Sequence, residues 1–236
     1  MFFQRLVFLK TGARARRRGD APAPEHGERN GMSRRFDGVV FDMDGTLIEP
    51  LLDFPAIRAE LGIAEGDGIL EAIEQMPPEA QRVARRRLLE RELKAARRAG
   101  LMPGALEANQ EARRAGLKTA LLTRNARPAM RIVLSRFAAL EFDLALSRED
   151  GPIKPEPDGI LRVCRTLGLA PQRTACVGDF RFDILAAKAA GAVSVLLAHS
   201  GLPAYAAEAD HVIRHLDELP SLLGIRPSAE PREPRM

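Results

Sequence analysis

Cysteine is scarce: the chain holds two, Cys164 and Cys176, and neither stands at a metal-ligand or CxxC spacing. That excludes a cysteine-ligated metal centre and a dithiol redox motif. Both lie in stretches that read as helix and strand, so they are expected to be buried, reduced thiols, which fits a reducing, cytoplasmic setting. Long apolar runs are also missing. No stretch approaches the roughly 20 residues of a membrane helix, and no membrane partner is expected. Tryptophan is absent and tyrosine occurs once, yet 45% hydrophobic and 29% charged residues suit a soluble globular chain. At 236 residues it can bury one sizeable core and a smaller appendage.

Excess charge is missing from most of the chain as well. Residues 1–31 carry seven basic side chains against three acidic ones, which accounts for the whole net charge of +4. The remainder has 29 of each sign, so no nucleic-acid partner is inferred. The segment opens MFFQRLVFLK and turns into a Gly-, Pro- and Arg-rich run with little to bury. Residues 1–35 are expected to be a disordered extension. A secretory leader fits poorly because the charges follow the apolar patch, and an organelle transit peptide fits weakly. The favoured expectation is that translation begins at Met32, directly before the first strand. The tail, 226–236, is expected to be disordered.

From residue 37 short apolar runs alternate with helical ones. DGVVFD (37–42), KTALLT (118–123), FDLALS (142–147), RTACVGD (173–179) and VSVLLA (193–198) read as strands covered on both faces. Helices are expected at about 104–115, 126–137, 156–167 and 181–190, with Pro128 near one start and Gly116 and Gly191 at two ends. Strand–helix alternation implies parallel strands and right-handed crossovers. The expected fold is α/β, a doubly wound (Rossmann-like) parallel five-stranded sheet. Residues 50–101 break the pattern. They read as an all-helical insertion after the first strand, with helices at 54–61, about 68–75 and 78–99. The core would then be 36–49 with 102–225. The Arg-rich face of the last insertion helix is expected to pair with Glu90 and Glu92 in solvent.

In such a sheet ligands sit beyond the carboxyl ends of the strands. Asp42 and Asp44 end the first strand, within VVFDMDGTL. Thr123 ends the second, followed by Arg124 and Asn125. Lys154 follows the third, within GPIKPEPDG. Asp179 ends the fourth, with Asp183 one helical turn on. Four acids on one rim repel each other and demand a cation, and hard carboxylate oxygens suit Mg²⁺. Cation, lysine and hydroxyl make a cradle for a phosphoryl group. One aspartate can then attack phosphorus while a second moves the proton.

DMDGTL, Thr123 after an apolar strand, KPEPD and GDFRFD, in that order, resemble the four signature motifs of the haloacid dehalogenase-like hydrolase superfamily. The likeness spans about residues 36–225 and is nearest to the subfamily with a small type-1 helical cap, which includes phosphoglycolate phosphatases. It implies Asp42 as nucleophile and Asp44 as general acid/base, with Asp44 also lending Mg²⁺ its backbone carbonyl. It implies phosphate binding by Thr123, the Arg124 backbone N–H and Lys154; Asn125, directly after them, can also donate near the phosphate. Asp42, Asp179 and Asp183 would complete the Mg²⁺ site. The insertion would close over the phosphate and choose the substrate. At about 50 residues it looks shorter than the phosphoglycolate enzymes' cap.

Asp44 argues for phosphate esters over halides, since halide leaves unprotonated and an alkoxide does not. A phosphonatase would need a cap lysine, and only Lys94 lies in that region. The expected activity is Mg²⁺-dependent hydrolysis of a small phosphorylated metabolite. A phosphomutase is the alternative, disfavoured by Thr46 where mutases of the β-phosphoglucomutase type commonly have Val. A non-catalytic binding module is a third reading. Monomer and homodimer both stay open. Arg58 and Arg148 are secondary candidates for substrate contact, and His199, His211 and His215 are given no chemistry.

Overall fold

The computed structural model describes residues 35–225. The expectations for the N-terminal extension, a start at Met32 and the tail lie outside the described residues. Within them, the first strand, β1 (Gly38–Phe41), is four residues long and buried throughout. Val39 and Phe41 face one side of the sheet, Val40 the other. The same alternation runs through β2 (Lys118–Leu122) and β4 (Thr174–Gly178). A strand apolar on both faces must be covered on both, and helices do the covering.

The strand order is β3-β2-β1-β4-β5-β6 and every pairing is parallel. Here β3 is Leu144–Leu146, β5 Val193–Leu197 and β6 His211–Ile213. On one face lie α4 (Ala105–Arg114) and α5 (Arg127–Arg136), packed through Ala108, Ala112, Met130 and Val133. On the other lie α6 (Asp158–Leu167) and α7 (Arg181–Ala189), through Ile160, Val163, Ala186 and Ala187. A four-residue turn, α8 (Leu219–Leu222), closes the described chain against the first face. Chain order reverses at β1, so the crevice between outgoing loops opens above Asp42.

The sheet therefore has six strands, one more than the five expected. The missed one, β6, is three residues long and its middle residue, Val212, is 39% exposed. Such a run carries no measurable periodicity. It is held by Asp210, whose carboxylate accepts from the backbone and hydroxyl of Ser194 at 2.9 and 2.7 Å. His211 opens this strand.

Residues 50–101 carry α1 (Phe54–Leu61), α2 (Ile69–Glu74) and α3 (Pro78–Arg98) and no strand. They share an apolar cluster of Ile57, Ile63, Ile69, Ile73, Ala84 and Leu88. The 21-residue α3 begins in that cluster and ends in the sheet's core, where Ala96 is buried against α5. Its exposed arginines pair with Glu79, Glu74 and Glu60. The expected solvent pairing with Glu92 is corrected: Glu92 is 3% exposed and faces inward. Both cysteines are buried and free. Among the described residues no helix is long and apolar enough to cross a membrane.

Arg136, at the end of α5, donates Nη1 to the carbonyls of Ala96 and Ala99 at 2.6 and 2.8 Å. These are carbonyls at the C-terminus of α3, which carry the negative end of the helix dipole. Arg136→Met removes both bonds and is expected to lower stability by about 1–2 kcal/mol in urea unfolding, with an unchanged m-value.

Candidate active site

The backbone N–H of Asp42 donates to the Val177 carbonyl at 2.9 Å, extending the ladder one residue past β1. Met43 then turns fully into the core, and its carbonyl accepts from Leu47 and Ile48, both at 2.9 Å. This buried pivot separates the two acids. Gly45 has φ +75°, and a Cβ there would lie 2.1 Å from Asp179 Oδ2. Any side chain would both strain the backbone and displace the acid. Gly178 is as tight, with an added Cβ 2.1 Å from Asp183 Cγ.

Lys154, in the loop after β3, is 5% exposed. Its Nζ lies 2.5 Å from Asp42 Oδ1, 2.6 Å from Asp183 Oδ1 and 3.0 Å from the Leu122 carbonyl. Three donors thus meet three acceptors. Burial works to lower the lysine's pKa, but the two carboxylates outweigh it and raise the pKa. Burial also lifts Asp42, to about 6, against the pull of Lys154. Asp179 is pushed up to about 8 by burial and by the charges of Asp42 and Asp183.

Asp42, Asp179 and Asp183 each offer a carboxylate oxygen within 4.8 Å of the others. Hard oxygens that close, carrying more negative charge than one lysine offsets, fit Mg²⁺. Asp44's carboxylate stands apart from that trio. Its Oδ2 accepts from Asn125 Nδ2 at 2.7 Å, while its Oδ1 is buried without a hydrogen-bond partner. Burial, then Asp42 and Glu92, push its pKa up to about 8.

Asp42, Asp44, Thr123, Arg124, Asn125, Lys154, Asp179 and Asp183 all line one cleft. Thr123 is 3% exposed, and its hydroxyl accepts from Asn125 N at 3.1 Å. Asn125 serves Asp44. The Arg124 side chain, unassigned in the sequence, reaches across to the insertion. It places Nη2 2.9 Å from both oxygens of Glu71, donates Nη1 to the Lys154 carbonyl, and lies 4.4 Å over the Phe182 ring. Arg58 stands at the cleft with Nε donating to the Asp67 carbonyl at 3.0 Å. His199 also lines it, with Nε2 3.9 Å from Asp179 Oδ2; His211 and His215 do not.

Sequence reasoning missed Glu92. It accepts from Ala126 N at 3.2 Å and pairs with Arg148, so the insertion's longest helix enters the site as a buried ion pair. The signal was present. Leu88, Glu92, Ala95 and Ala96 share one helical face, and three of the four are apolar. Above these groups opens a cleft of about 670 Å³, walled by insertion and core.

The site is thus a parallel sheet with paired aspartates, a buried lysine and a further acid pair at its carboxyl edge. Residues 36–191 match the family model of the haloacid dehalogenase-like hydrolases, and the chain belongs to that family. It is 37% identical over 179 residues to a haloacid dehalogenase-like hydrolase domain-containing protein of Arabidopsis thaliana, covering 71% of this chain and 73% of that one. It is 27% identical over 241 residues to a phosphoglycolate phosphatase of Shigella boydii, covering 83% and 95%. A solved hydrolase from Pseudomonas syringae shares its fold with TM-score 0.67 at 23% identity, over 80% of this chain and 99% of that one.

In the metal-free protein Asp44 and Asp179 hold protons up to about pH 8. In the unfolded chain they lose them near pH 4. The folded state therefore binds more protons across that window, and the stability this gives at low pH is lost as pH rises through 8. Asp143, Asp150, Asp210 and Glu218 are shifted downward, so their opposite trend is complete at lower pH. In EDTA the Tm is expected to fall from pH 5 to pH 8, and added Mg²⁺ should raise it more at pH 8 than at pH 5. Differential scanning fluorimetry reads both; a Mg²⁺ effect larger at pH 5 would contradict the acid cluster as its site.

Proposed function

We propose that the chain is a Mg²⁺-dependent phosphatase that hydrolyses a small phosphorylated metabolite through an aspartyl phosphate on Asp42. The observation that carries the reading is the division of labour between two acids two residues apart. Asp42 is held by Lys154 at 2.5 Å. Asp44 is bonded instead to Asn125, with Oδ1 unpaired.

The division matches the two jobs of ester hydrolysis. An Asp42 oxygen attacks phosphorus and the P–O bond to the alcohol breaks. The departing alkoxide takes the proton from Asp44 Oδ1, the oxygen Asn125 leaves free. Asp44, now a carboxylate, removes a proton from water. The resulting hydroxide attacks phosphorus and releases phosphate and Asp42. Lys154, the Thr123 hydroxyl and the Arg124 backbone N–H would bind the phosphoryl oxygens. Asp42, Asp179, Asp183 and the Asp44 carbonyl would hold Mg²⁺, which when bound would offset phosphoryl charge. Residues 50–101 would serve as the cap over the cleft, with the rest of 36–225 as the core. A cytoplasmic location accords with the two buried free thiols.

Asp42→Asn is expected to cut turnover by more than about 10³-fold while leaving the protein folded, as circular dichroism would show. EDTA should abolish phosphate release and Mg²⁺ restore it. Near-wild-type turnover in the variant would mean the nucleophile is elsewhere. Isomerisation of a sugar phosphate without net phosphate release would favour the mutase alternative.

A further inference from the structure

Five large hydrophobic side chains are more than a third exposed among the described residues, and three of them, Phe54 (44%), Phe180 (49%) and Leu202 (60%), line the one cleft above Asp42. Apolar side chains concentrated at a site of charge chemistry mark a ligand surface rather than random exposure. On the core side they continue into an aromatic wall. Phe180 meets Phe182 at 5.1 Å and Tyr205 at 5.9 Å, both edge to face. This wall starts at the residue after Asp179, beside the phosphoryl site. On the insertion side Phe54 is joined by Leu52, Ile69 and Leu70.

The cleft's cations complete the picture. Lys154 is taken by Asp42 and Asp183. Arg124 is taken by both oxygens of Glu71. Arg58 is the one lysine or arginine of this cleft with no carboxylate partner among the described residues, and its Nε is bonded to the Asp67 carbonyl. A second anion on the substrate would meet that single guanidinium, since Glu92 is paired with Arg148. A cleft of about 670 Å³ is also of the size that encloses a drug-sized ligand, far beyond a two-carbon acid.

We propose that the substrate is a phosphate monoester whose alcohol carries an aromatic ring, the ring lying against the Phe180–Phe182–Tyr205 wall under Phe54 and Leu202. The inference rests on the phosphatase reading and narrows it. It separates this chain from enzymes that take phosphoglycolate, despite the sequence likeness to them.

The test compares kcat/KM of the full chain with Mg²⁺ on benzyl phosphate, ethyl phosphate and 2-phosphoglycolate. Benzyl phosphate should exceed each of the others by about tenfold or more. Leu202→Ala and Phe54→Ala, both at exposed positions, should each lower the benzyl-to-ethyl preference by about five- to tenfold, mainly through KM. Preference for 2-phosphoglycolate, or a benzyl-to-ethyl ratio unmoved in both variants, overturns the aromatic assignment and leaves the phosphatase standing. Absence of phosphate release from all three esters overturns both.

Discussion

The site depends on one buried ammonium. Lys154 gives its three donors to Asp42, Asp183 and the Leu122 carbonyl, and so joins the ends of β1 and β2 to the start of α7. Without it three carboxylates would share a few ångströms of low-dielectric space, where like charges cannot all stay ionised. Breaking a buried pair by removing one partner is costly because the other charge is left behind. The positions of the acids and of the glycines that make room for them follow from that arrangement.

Space is the second constraint. Gly45 and Gly178 each leave 2.1 Å between an added Cβ and an acid, so the backbone of the first and fourth loops is pressed against carboxylates. Met43, buried between Asp42 and Asp44, uses the hydrophobic core as an anchor for a polar loop. The two acids consequently differ in surroundings through geometry rather than through residue type: one is bound to the Lys154 ammonium, the other to the Asn125 amide.

The helical insertion is coupled to this site at two points. Glu92 on α3 meets Arg148 and the Ala126 N–H from the core, and Glu71 on α2 meets Arg124. The first is buried and the second half open to water, so the first fixes the base of the insertion more strongly than the second fixes its rim. The cleft between them carries charge on its floor and aromatic side chains on its wall. That pairing suits a ligand with one anionic end and one apolar end.

Much of this was legible in the sequence. Strands apolar on both faces, punctuated by Gly116 and Gly191 in left-handed turns, specify a parallel doubly wound sheet, and Asp42, Asp44, Thr123, Lys154, Asp179 and Asp183 stand at its carboxyl edge because chain order puts them there. Local spacing and composition carry that information. What escaped is non-local. β6 exists because Asp210 grips Ser194, and three residues cannot announce a strand. Glu92 is buried because α3 crosses from one hydrophobic cluster to another, and Arg124 reaches Glu71 across 53 positions of sequence. The residue types and their order were enough to place the acids, the lysine and the hydroxyl on one rim. Which side chains wall the cleft was decided only when packing brought distant segments together, since no periodicity in one segment encodes its distance from another.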